Sequence, residues 1–574
     1  MNFIYTISSQ RPHRRLITIE LTLTEIDKDE LVIKLPNWRP GRYELGNFAK
    51  NIQSFKITTS EVGNAVGFEK TDKSTWKINT KGIKNIKVTY NYYANQLDGG
   101  GCYTSEDQLY FNPVQCCVYV PELTKEQHKI ELLIPDDWKI ATGLKVDKRT
   151  LTASNYDELV DCPVLASPSI QHQQYLSGTI PFHVWIQGDY QPQWEQLLKD
   201  FKAFTDLQIK SMGEFPAADY HFIIQVLPYN FYHGVEHLNS TVLVLGPGNT
   251  LNDRINYKEL LGVASHELYH CWNVKTIKPV GLLPYNYESE NYSRSGFVYE
   301  GFTTYLGDAY LKRSGVFSQE EFFHELETRI TKHMHNYGRF NMSVADASFD
   351  TWLDGYVAGI PNRKVSIYDE GSIIALMIDL IALNESKGKM RLDTVMLALY
   401  QDFGKNNIGY KNSDVRLMCT AVAGNSMNDI FENYVYRNAD YFDMIVETLG
   451  WAGCRLTAID SDKLFELYYG FKIIQGESSA KVTAVIPDSP ADIATIAIGD
   501  EIISAFGEPI KNNLNELIMQ HATDELTLEL YSSYKKKTVV VKRDDKKYYS
   551  KYKIEENPTK TNNQKTVFEK WLKG

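Results

Sequence analysis

The pattern of hydrophobic and polar residues divides the chain into β-rich ends and a helical middle. Residues 17–24 alternate apolar and polar side chains, which predicts a half-buried strand. Similar short runs, bounded by Asn, Gly, Asp and Pro, recur at 30–36, 85–93 and 128–135. Strands at this density predict a sandwich or a barrel, and we assign residues 1–170 to an N-terminal β-sandwich-like domain.

The middle of the chain changes to helical periodicity. Residues 194–204 place apolar side chains along one helix face between two strand-like runs, and from residue 257 to about 455 the pattern is mostly helical. Residues 371–383 are apolar nearly all round, which predicts a buried helix. We assign residues 171–457 to a second, mainly helical domain.

Short strand-like runs return from about residue 465 to 543, and we assign residues 458–545 to a third, β-rich domain. The last stretch, residues 546–574, is rich in charged and polar residues. It is predicted to be a solvated tail, with a basic docking patch as the alternative interpretation. The expected fold class is therefore multidomain α+β.

Composition narrows the class of protein. The 574-residue chain is 43% apolar and 23% charged, as in globular proteins, and its formal charge of −11 argues against a general nucleic-acid binder. No apolar run approaches the roughly 20 residues that a membrane-spanning helix needs. The N-terminus lacks the features of a signal peptide, so a cytoplasmic location is expected. The seven cysteines contain no CxxC pair, so neither a zinc ribbon nor a disulfide framework is indicated.

The sequence HELYH at residues 266–270 carries the first chemical signal. On a helix, His266 and His270 lie on one face about one turn apart, where two neutral imidazoles can bind one metal ion. Glu267 lies beside them as a candidate base. Two surface histidines with a solvated glutamate are the alternative, because so short a pattern also occurs by chance.

A catalytic zinc needs a third protein ligand, and two glutamates compete for that role. Glu290 lies in a polar stretch without periodicity, whereas Glu300 opens a segment with apolar residues at helical spacing. A ligand on a packed helix is held more precisely than a ligand on a loop. The sequence therefore favours Glu300 and leaves Glu290 as the alternative.

Five segments resemble one known family, and they follow one another along the chain in the order of that family. In chain order they are LPNWRPGRYELGNFAKNI near the N-terminus, YHGVEHLNST, HELYHCWNVKTIKP with YEGFTTYLGDAYLKRSG, IYDEGSIIALMIDL, and IPDSPADIATIAIGDEIISAFGEPI near the C-terminus. Together they resemble the glycyl aminopeptidase family of thermolysin-like zinc metallopeptidases. That resemblance implies a β-rich N-terminal domain, a thermolysin-like catalytic domain and a C-terminal PDZ domain.

The resemblance also implies roles for single residues. His266, His270 and Glu300 match the ligands of one zinc ion per chain, and Glu267 matches the general base. Tyr368 matches the tyrosine that donates a hydrogen bond to the tetrahedral intermediate, and Glu236 matches a glutamate that receives the free α-amine of the substrate.

Two positions depart from the family pattern. His233 replaces the first glycine of a Gly-Gly pair, which changes the expected shape of the substrate-entry pocket. Glu370 replaces the usual lysine after the tyrosine, which alters local charge without removing a metal ligand. In the PDZ-like region, the candidate loop for binding a C-terminal peptide is Tyr469, Gly470 and Phe471, with a plain turn as the alternative.

Three functions follow from these observations. The first is a zinc aminopeptidase that prefers small N-terminal residues, glycine or alanine, a preference that only the resemblance supplies. The second is an endopeptidase on the same scaffold. The third is a binding protein in which the PDZ-like module recruits partners, although such a scaffold has no need of HExxH, a third glutamate and a tyrosine together.

Overall fold

The N-terminal region consists of three β-sheets around one hydrophobic core. The structure is a computed structural model that describes residues 1–356 and 359–573. Two short helices accompany the strands, α1 (Pro113–Cys116) and α2 (Tyr156–Val160). The strands are β1 (Asn2–Ser8), β2 (Leu16–Thr24), β3 (Glu30–Lys34), β4 (Ile52–Thr59), β5 (Phe68–Lys70), β6 (Thr75–Asn79), β7 (Ile86–Tyr93), β8 (Tyr103–Thr104), β9 (Leu109–Phe111), β10 (His128–Leu133), β11 (Lys139–Ala141), β12 (Lys145–Asp147), β13 (Thr150–Ala153) and β14 (Val164–Ser167).

The largest of these sheets has seven strands in the order β12-β13-β10-β1-β2-β7-β4. Strand β1 pairs in parallel with β10 and antiparallel with β2. Along β2 every second side chain is buried, so the strand predicted from the alternating pattern at 17–24 is confirmed. The other two sheets have the orders β11-β14-β9-β8 and β3-β6-β5, and their inward side chains share the same core.

The middle region begins with a five-stranded sheet whose order is β15-β16-β17-β19-β18. Strand β18 lies at the edge of this sheet and pairs antiparallel with β19. Helix α3 (Trp194–Met212) connects β16 to β17, which are parallel. The strands are β15 (Gln171–Ser177), β16 (Ile180–Gln187), β17 (Tyr220–Val226), β18 (Phe231–Glu236) and β19 (Ser240–Gly246).

The remainder of the middle region is helical, as the pattern predicts. Residues 373–383 of helix α9 are all buried, because helices surround it on every side. No helix in the described part of the chain is long and apolar enough to cross a membrane. The helices are α4 (Arg254–Tyr269), α5 (Thr303–Arg313), α6 (Gln319–His335), α7 (Val344–Phe349), α8 (Thr351–Asp354), α9 (Ile367–Glu385), α10 (Leu392–Leu399), α11 (Asn412–Ala423), α12 (Ser426–Ile430) and α13 (Phe442–Trp451).

A separate β-rich module follows. It is inserted in the chain between β20 (Cys454–Ile459) and β27 (Lys551–Glu556), two strands that pair with each other. Its sheet has the order β21-β22-β23-β25-β26, with β24 paired to β23, and it has its own core. Its elements are α14 (Leu464–Tyr469), β21 (Phe471–Gln475), β22 (Ala480–Val485), α15 (Pro490–Ile493), β23 (Glu501–Ala505), β24 (Glu508–Pro509), α16 (Leu514–His521), β25 (Glu525–Ser532) and β26 (Lys535–Lys542).

The prediction of a solvated tail at 546–574 is wrong. Strand β27 (Lys551–Glu556) pairs antiparallel with β20 (Cys454–Ile459), and helix α17 (Asn562–Leu572) packs on the core of the helical region. Trp571 is 1% exposed. The charged side chains lie on the outward faces of these two elements and outnumber the few apolar residues that are buried. The average composition of the stretch is therefore polar although both elements are packed.

Candidate active site

Helix α4 carries the two histidines of the HELYH sequence into a cleft. His266 lies in its last turn, and His270 is the C-cap residue. The two Nε2 atoms lie 3.0 Å apart, and the side chain of His270 is 2% exposed. His270 Nδ1 is 2.6 Å from the carbonyl oxygen of Asn273, to which it donates, so Nε2 is the ring nitrogen directed at Glu300.

Glu300 comes to the histidines on a π-helical turn, Phe297–Phe302, directly before α5. Its Oε2 atom lies 3.8 Å from His266 Nε2 and 3.5 Å from His270 Nε2. A Cβ atom on Gly301 would overlap the backbone of Gly371 in α9, so glycine at 301 permits the close packing that fixes this turn. π-Helical turns of this kind are frequent at functional sites.

The donor set fits a zinc ion. The ligand-type atoms of His266, His270 and Glu300 all lie within 4.8 Å of one another. Zinc binds histidine nitrogen and carboxylate oxygen at about 2.0–2.2 Å, and its ligands in a tetrahedral site are then a little over 3 Å apart. Glu290 does not line this cleft, so the structure brings Glu300 rather than Glu290 to the histidines.

Two further glutamates lie buried beside the same histidine. Glu236 is 4% exposed and Glu267 is 6% exposed, and their carboxylate oxygens lie within 4.8 Å of each other and of His270. Among the described residues, neither Glu236 Oε1 nor Glu267 Oε2 has a hydrogen-bond partner. Buried carboxylates without partners are costly, so this cluster demands a cation or a donor.

The electrostatics agree with that demand. Burial and the negative charges of Glu236 and Glu300 together raise the pKa of Glu267 well above its usual range, against the opposing effect of His270. Burial alone would lower the pKa of His270, but the carboxylates of Glu300, Glu236 and Glu267 outweigh it and raise that pKa to about 10. For His266 burial dominates and lowers the pKa to about 4.

The edge strand β18 and a turn of the N-terminal region form the walls around these carboxylates. A Cβ atom on Gly234 would overlap the Glu267 carboxylate, and a Cβ atom on Gly41 would overlap that of Glu236. His237 N–H donates to Ser240 O at 3.0 Å. The alternation of an antiparallel ladder therefore directs the backbone polar groups of Gly234 away from β19 and toward the cleft.

Tyr368 lines the same cleft, which has a volume of about 420 Å³. It lies in the first turn of α9, whose N-cap residue Ser366 accepts a hydrogen bond from the backbone N–H of Asp369 at 3.1 Å. Burial, the Glu300 carboxylate and the neighbouring Tyr356 raise the pKa of Tyr368 well above its usual range. Its hydroxyl is therefore protonated and available as a donor at neutral pH.

The two departures from the family pattern have distinct environments. His233 lines the cleft, and its Nδ1 accepts a hydrogen bond from Gly99 N–H at 3.2 Å. Burial and the positive charge of Arg39 lower the pKa of His233 to about 4, so its imidazole is neutral. Glu370 does not line the cleft and is 2.6 Å from His333 Nδ1, with both side chains buried.

The structure adds residues that the sequence did not single out. Gly41 and Tyr43, from the N-terminal region, lie beside Glu236 and Tyr299, and Asn273 orients His270. The available signal in the sequence was the pair Pro40-Gly41, because a Pro-Gly pair is typical of a turn. The structure agrees, since Gly41 has a positive φ of 81°. Nothing in the sequence indicated that this turn borders the catalytic region.

The candidate PDZ loop lies apart from this cleft. Tyr469 ends α14 and Phe471 begins β21, and both side chains are buried. Gly470 has a φ of 75°, and its N–H donates to Glu466 O at 3.3 Å. Strand β21 lies at the edge of its sheet, where an added peptide strand could pair with it.

Comparisons with known proteins agree with this geometry. Residues 4–168 match the profile of the peptidase M61 N-terminal domain, and residues 259–374 match that of M61 glycyl aminopeptidase. The crystal structure of an aminopeptidase N family protein from Idiomarina loihiensis has a TM-score of 0.91 and 25% identity, over 100% of both chains. An M1 zinc metallopeptidase from Deinococcus radiodurans, bound to Tyr-Ser-Ala, has a TM-score of 0.46 and 10% identity, over 77% of this chain and 94% of that one. No curated protein matches the chain significantly.

Proposed function

The chain belongs to the M61 family and is a metallopeptidase, and on that premise we propose that it is a zinc-dependent aminopeptidase for peptides with glycine or alanine at the N-terminus. The observation that carries the proposal is the convergence of His266, His270 and Glu300 beside two buried carboxylates that lack hydrogen-bond partners. A metal ion and a substrate ammonium are the cations that would neutralise such a site.

His266, His270 and Glu300 would hold one zinc ion. Zinc, when bound, polarises a peptide carbonyl and makes water acidic enough to attack at neutral pH. The hydrogen bond that orients the ring of His270 and the close packing around Glu300 support this assignment, because both position ligand atoms before a metal arrives.

Glu267 would act as the general base and then deliver a proton to the leaving amine. Burial and the carboxylates of Glu236 and Glu300 raise its pKa, which favours a group that takes up a proton and then releases it. Tyr368 would donate a hydrogen bond to the oxyanion that develops on the scissile carbonyl.

Glu236 would receive the α-amine and so make the enzyme an aminopeptidase. Its buried carboxylate has an oxygen within 4.8 Å of a carboxylate oxygen of Glu267. Glu236 ends the edge strand β18, whose Gly234 backbone groups face the cleft. The turn at Gly41 lies against Glu236 and leaves little space beyond it. This arrangement supports cleavage of a single small residue over internal cleavage, which requires chain on both sides of the metal.

We also propose that residues 1–170, 171–457 and 458–545 are three domains and that the third is a PDZ domain. Its separate core and the edge position of β21 support that assignment. A C-terminal peptide at residues 469–471 remains a prediction. Its test is binding of carboxyl-terminal and amidated peptides, which differ only in the group that the loop would bind.

Metal analysis combined with hydrolysis assays tests the proposed function. Purified protein should contain about one zinc per chain and cleave Gly- and Ala-anilides faster than Leu-anilide. Chelation should abolish cleavage, and zinc should restore it. Efficient cleavage of N-acetylated peptides would favour an endopeptidase, and metal-free protein with no response to zinc would favour a non-catalytic binding protein.

A further inference from the structure

A second cavity lies in the N-terminal region, behind the turn that borders Glu236. Its volume is about 160 Å³, the space of about five water molecules at roughly 30 Å³ each. Its walls carry three basic side chains and several amides, including Arg39, Arg42, Lys50, Gln96 and Gln115. A cavity of this size and lining suits a small polar ligand and not a peptide chain.

Arg39 is the unusual residue of this cavity, because its guanidinium is buried without a direct ion pair, although the carboxylate of Asp98 lies in the same wall. Arg39 is 5% exposed. Among the residues that the structure describes, its guanidinium donates one hydrogen bond, from Nη1 to Pro40 O at 3.3 Å, and has no carboxylate within 4.0 Å. The other donors of this guanidinium have no partner among the described residues and face the cavity, so they are available to an oxyanion that enters it.

The neighbouring groups add to the positive charge. Arg42 pairs with Glu44, whereas exposed Lys50 has no carboxylate within 4.0 Å in the described part of the chain. The carboxylate of Asp98 is hydrogen-bonded to Gln96 and to the backbone N–H of Gly100. The three basic groups and the two acidic groups, Glu44 and Asp98, therefore leave the lining of this cavity with one positive charge in excess.

The glycine-rich loop at 97–102 shapes this site. A Cβ atom on Gly100 would overlap the Arg39 guanidinium, so glycine lets the loop backbone lie flat against it. The amide of Gln115 donates to Gly100 O and fixes the loop from the other side. The loop therefore forms one wall of this charged cavity.

We propose that this cavity binds a small oxyanion, a carboxylate or a phosphate, on the Arg39 guanidinium, with Lys50 at its mouth. A guanidinium presents donors in a planar fork that matches both groups, and such charge-assisted hydrogen bonds are the strong ones. The ligand is a free small anion or the carboxylate of a short substrate, and the two sources share this chemistry.

Bound anion would also affect the cleft. Gly41, which lies against Glu236, stands between Arg39 and Arg42 in the same turn. On the opposite side, Gly99 of the loop donates to His233 of the edge strand. Occupancy of the cavity would hold both the turn and the loop, and therefore the position of Glu236. This effect on catalysis rests on the proposed function, whereas the binding itself does not.

Calorimetric titration of the zinc-loaded full chain with inorganic phosphate and with acetate, at constant ionic strength, tests the proposal. Three variants are compared: Arg39→Gln, Lys50→Gln and, as a control for charge, Arg14→Gln at an exposed position of the same region. We expect roughly tenfold or greater weakening in Arg39→Gln, as for a lost hydrogen bond to a charged group. Lys50→Gln should weaken binding up to about fivefold, and Arg14→Gln should not change it.

Thermal unfolding separates an anion site from a structural role. In buffer without oxyanions, Arg39→Gln should be about as stable as the parent, because the guanidinium has no direct ion pair and only one long hydrogen bond to lose. Equal phosphate affinity in the parent, Arg39→Gln and Lys50→Gln would place the anion at the metal and overturn the proposal. So would a loss of thermal stability in Arg39→Gln combined with unchanged affinity in Lys50→Gln.

Peptide substrates distinguish the two sources of the anion. If short substrates supply it, free-acid di- and tripeptides should have a lower KM than their amidated forms, and Arg39→Gln should remove the difference. If a free anion is the ligand, both forms should behave alike and phosphate should change KM for both. A protein that hydrolyses nothing but binds phosphate through Arg39 would refute the proposed function and leave this site standing.

Discussion

The middle region contains two buried clusters of charged side chains that differ in their hydrogen bonds. In one cluster every charged group has a partner within the chain, and in the other, two carboxylate oxygens have none within the described part of the chain. In the first, Arg313 Nη2 lies 2.9 Å from Asp379 Oδ2, and Arg313 Nη1 lies 3.2 Å from Asp393. Tyr305 OH donates to Asp379 at 2.5 Å and accepts from Trp571 Nε1 at 2.9 Å. Every charged group of this cluster therefore has a partner within the chain.

The second cluster, of Glu236, Glu267, Glu300 and the two histidines, is also largely buried, with only the His266 side chain 19% exposed, but it is incomplete. Two of its carboxylate oxygens have no partner among the described residues, and its negative charges outnumber its positive ones. Paired charges specify a fold, whereas unpaired ones are retained for a ligand. The comparison separates a structural network from a functional one inside the same helical region.

Substitution of Glu300, the proposed third metal ligand in the incomplete cluster, should have the largest effect on activity. Glu300→Gln should lose zinc and with it essentially all activity, because an amide is a poor zinc ligand. Glu290→Gln is the matched control and should retain about one zinc per chain. Metal content by plasma emission spectroscopy measures both, and the opposite pattern would transfer the ligand role to Glu290.

Substitution of the base should separate activity from stability. Glu267→Gln should keep its zinc and lower kcat roughly a thousandfold, within the range for a lost general base. Its unfolding midpoint should not fall, because the carboxylate Oε2 that it replaces has no partner to lose. A variant that loses zinc or unfolds at lower temperature would place Glu267 among the structural groups.

The paired cluster should respond in the opposite way. Asp379→Asn should lower the free energy of unfolding by about 3–5 kcal/mol, because it leaves Arg313 with a partly uncompensated buried charge. Specific activity per folded molecule should stay near that of the parent. Urea denaturation followed by circular dichroism measures the first quantity, and an unchanged midpoint would show that this network is dispensable.

Removal of the amine partner should give a smaller and substrate-dependent effect. Glu236→Ala should lower kcat/KM for free-amine substrates by roughly a hundredfold, as for a lost charged contact. N-acetylated substrates should be poor for the parent and change little in the variant. Equal losses for both substrate types would show that Glu236 shapes the cleft without binding the amine.

Excision of the C-terminal module should have the smallest effect if its boundaries are chosen from the structure. Ile459 and Lys551 are paired residues of strands β20 and β27, so Asn-Gly can replace residues 460–550 as a hairpin turn. Hydrolysis of a small anilide should change less than about threefold. Truncation at residue 459 should instead unfold the helical region, because it also removes Trp571, and equal behaviour of the two deletions would contradict this view.

Much of the fold was predictable because it depends on local periodicity. The alternation in β2, the apolar helix α9 and the strands of the C-terminal module each follow from spacing within one element. The tail was not predictable from composition, because its partner strand β20 lies nearly a hundred residues away. Its signal was the capping box at Thr561 and Gln564 before a short apolar face ending in Trp571.

The sequence by itself determined the pair His266 and His270, because four residues of one helix fix their spacing whatever the rest of the chain does. It also favoured Glu300, through helical periodicity. Only tertiary structure decided that Glu300 meets the histidines, that Glu236 is buried beside Glu267, and that Arg39 is buried without a direct ion pair. These are properties of how separate elements pack, and hydrogen bonding and desolvation at a packed site depend on all of its neighbours at once.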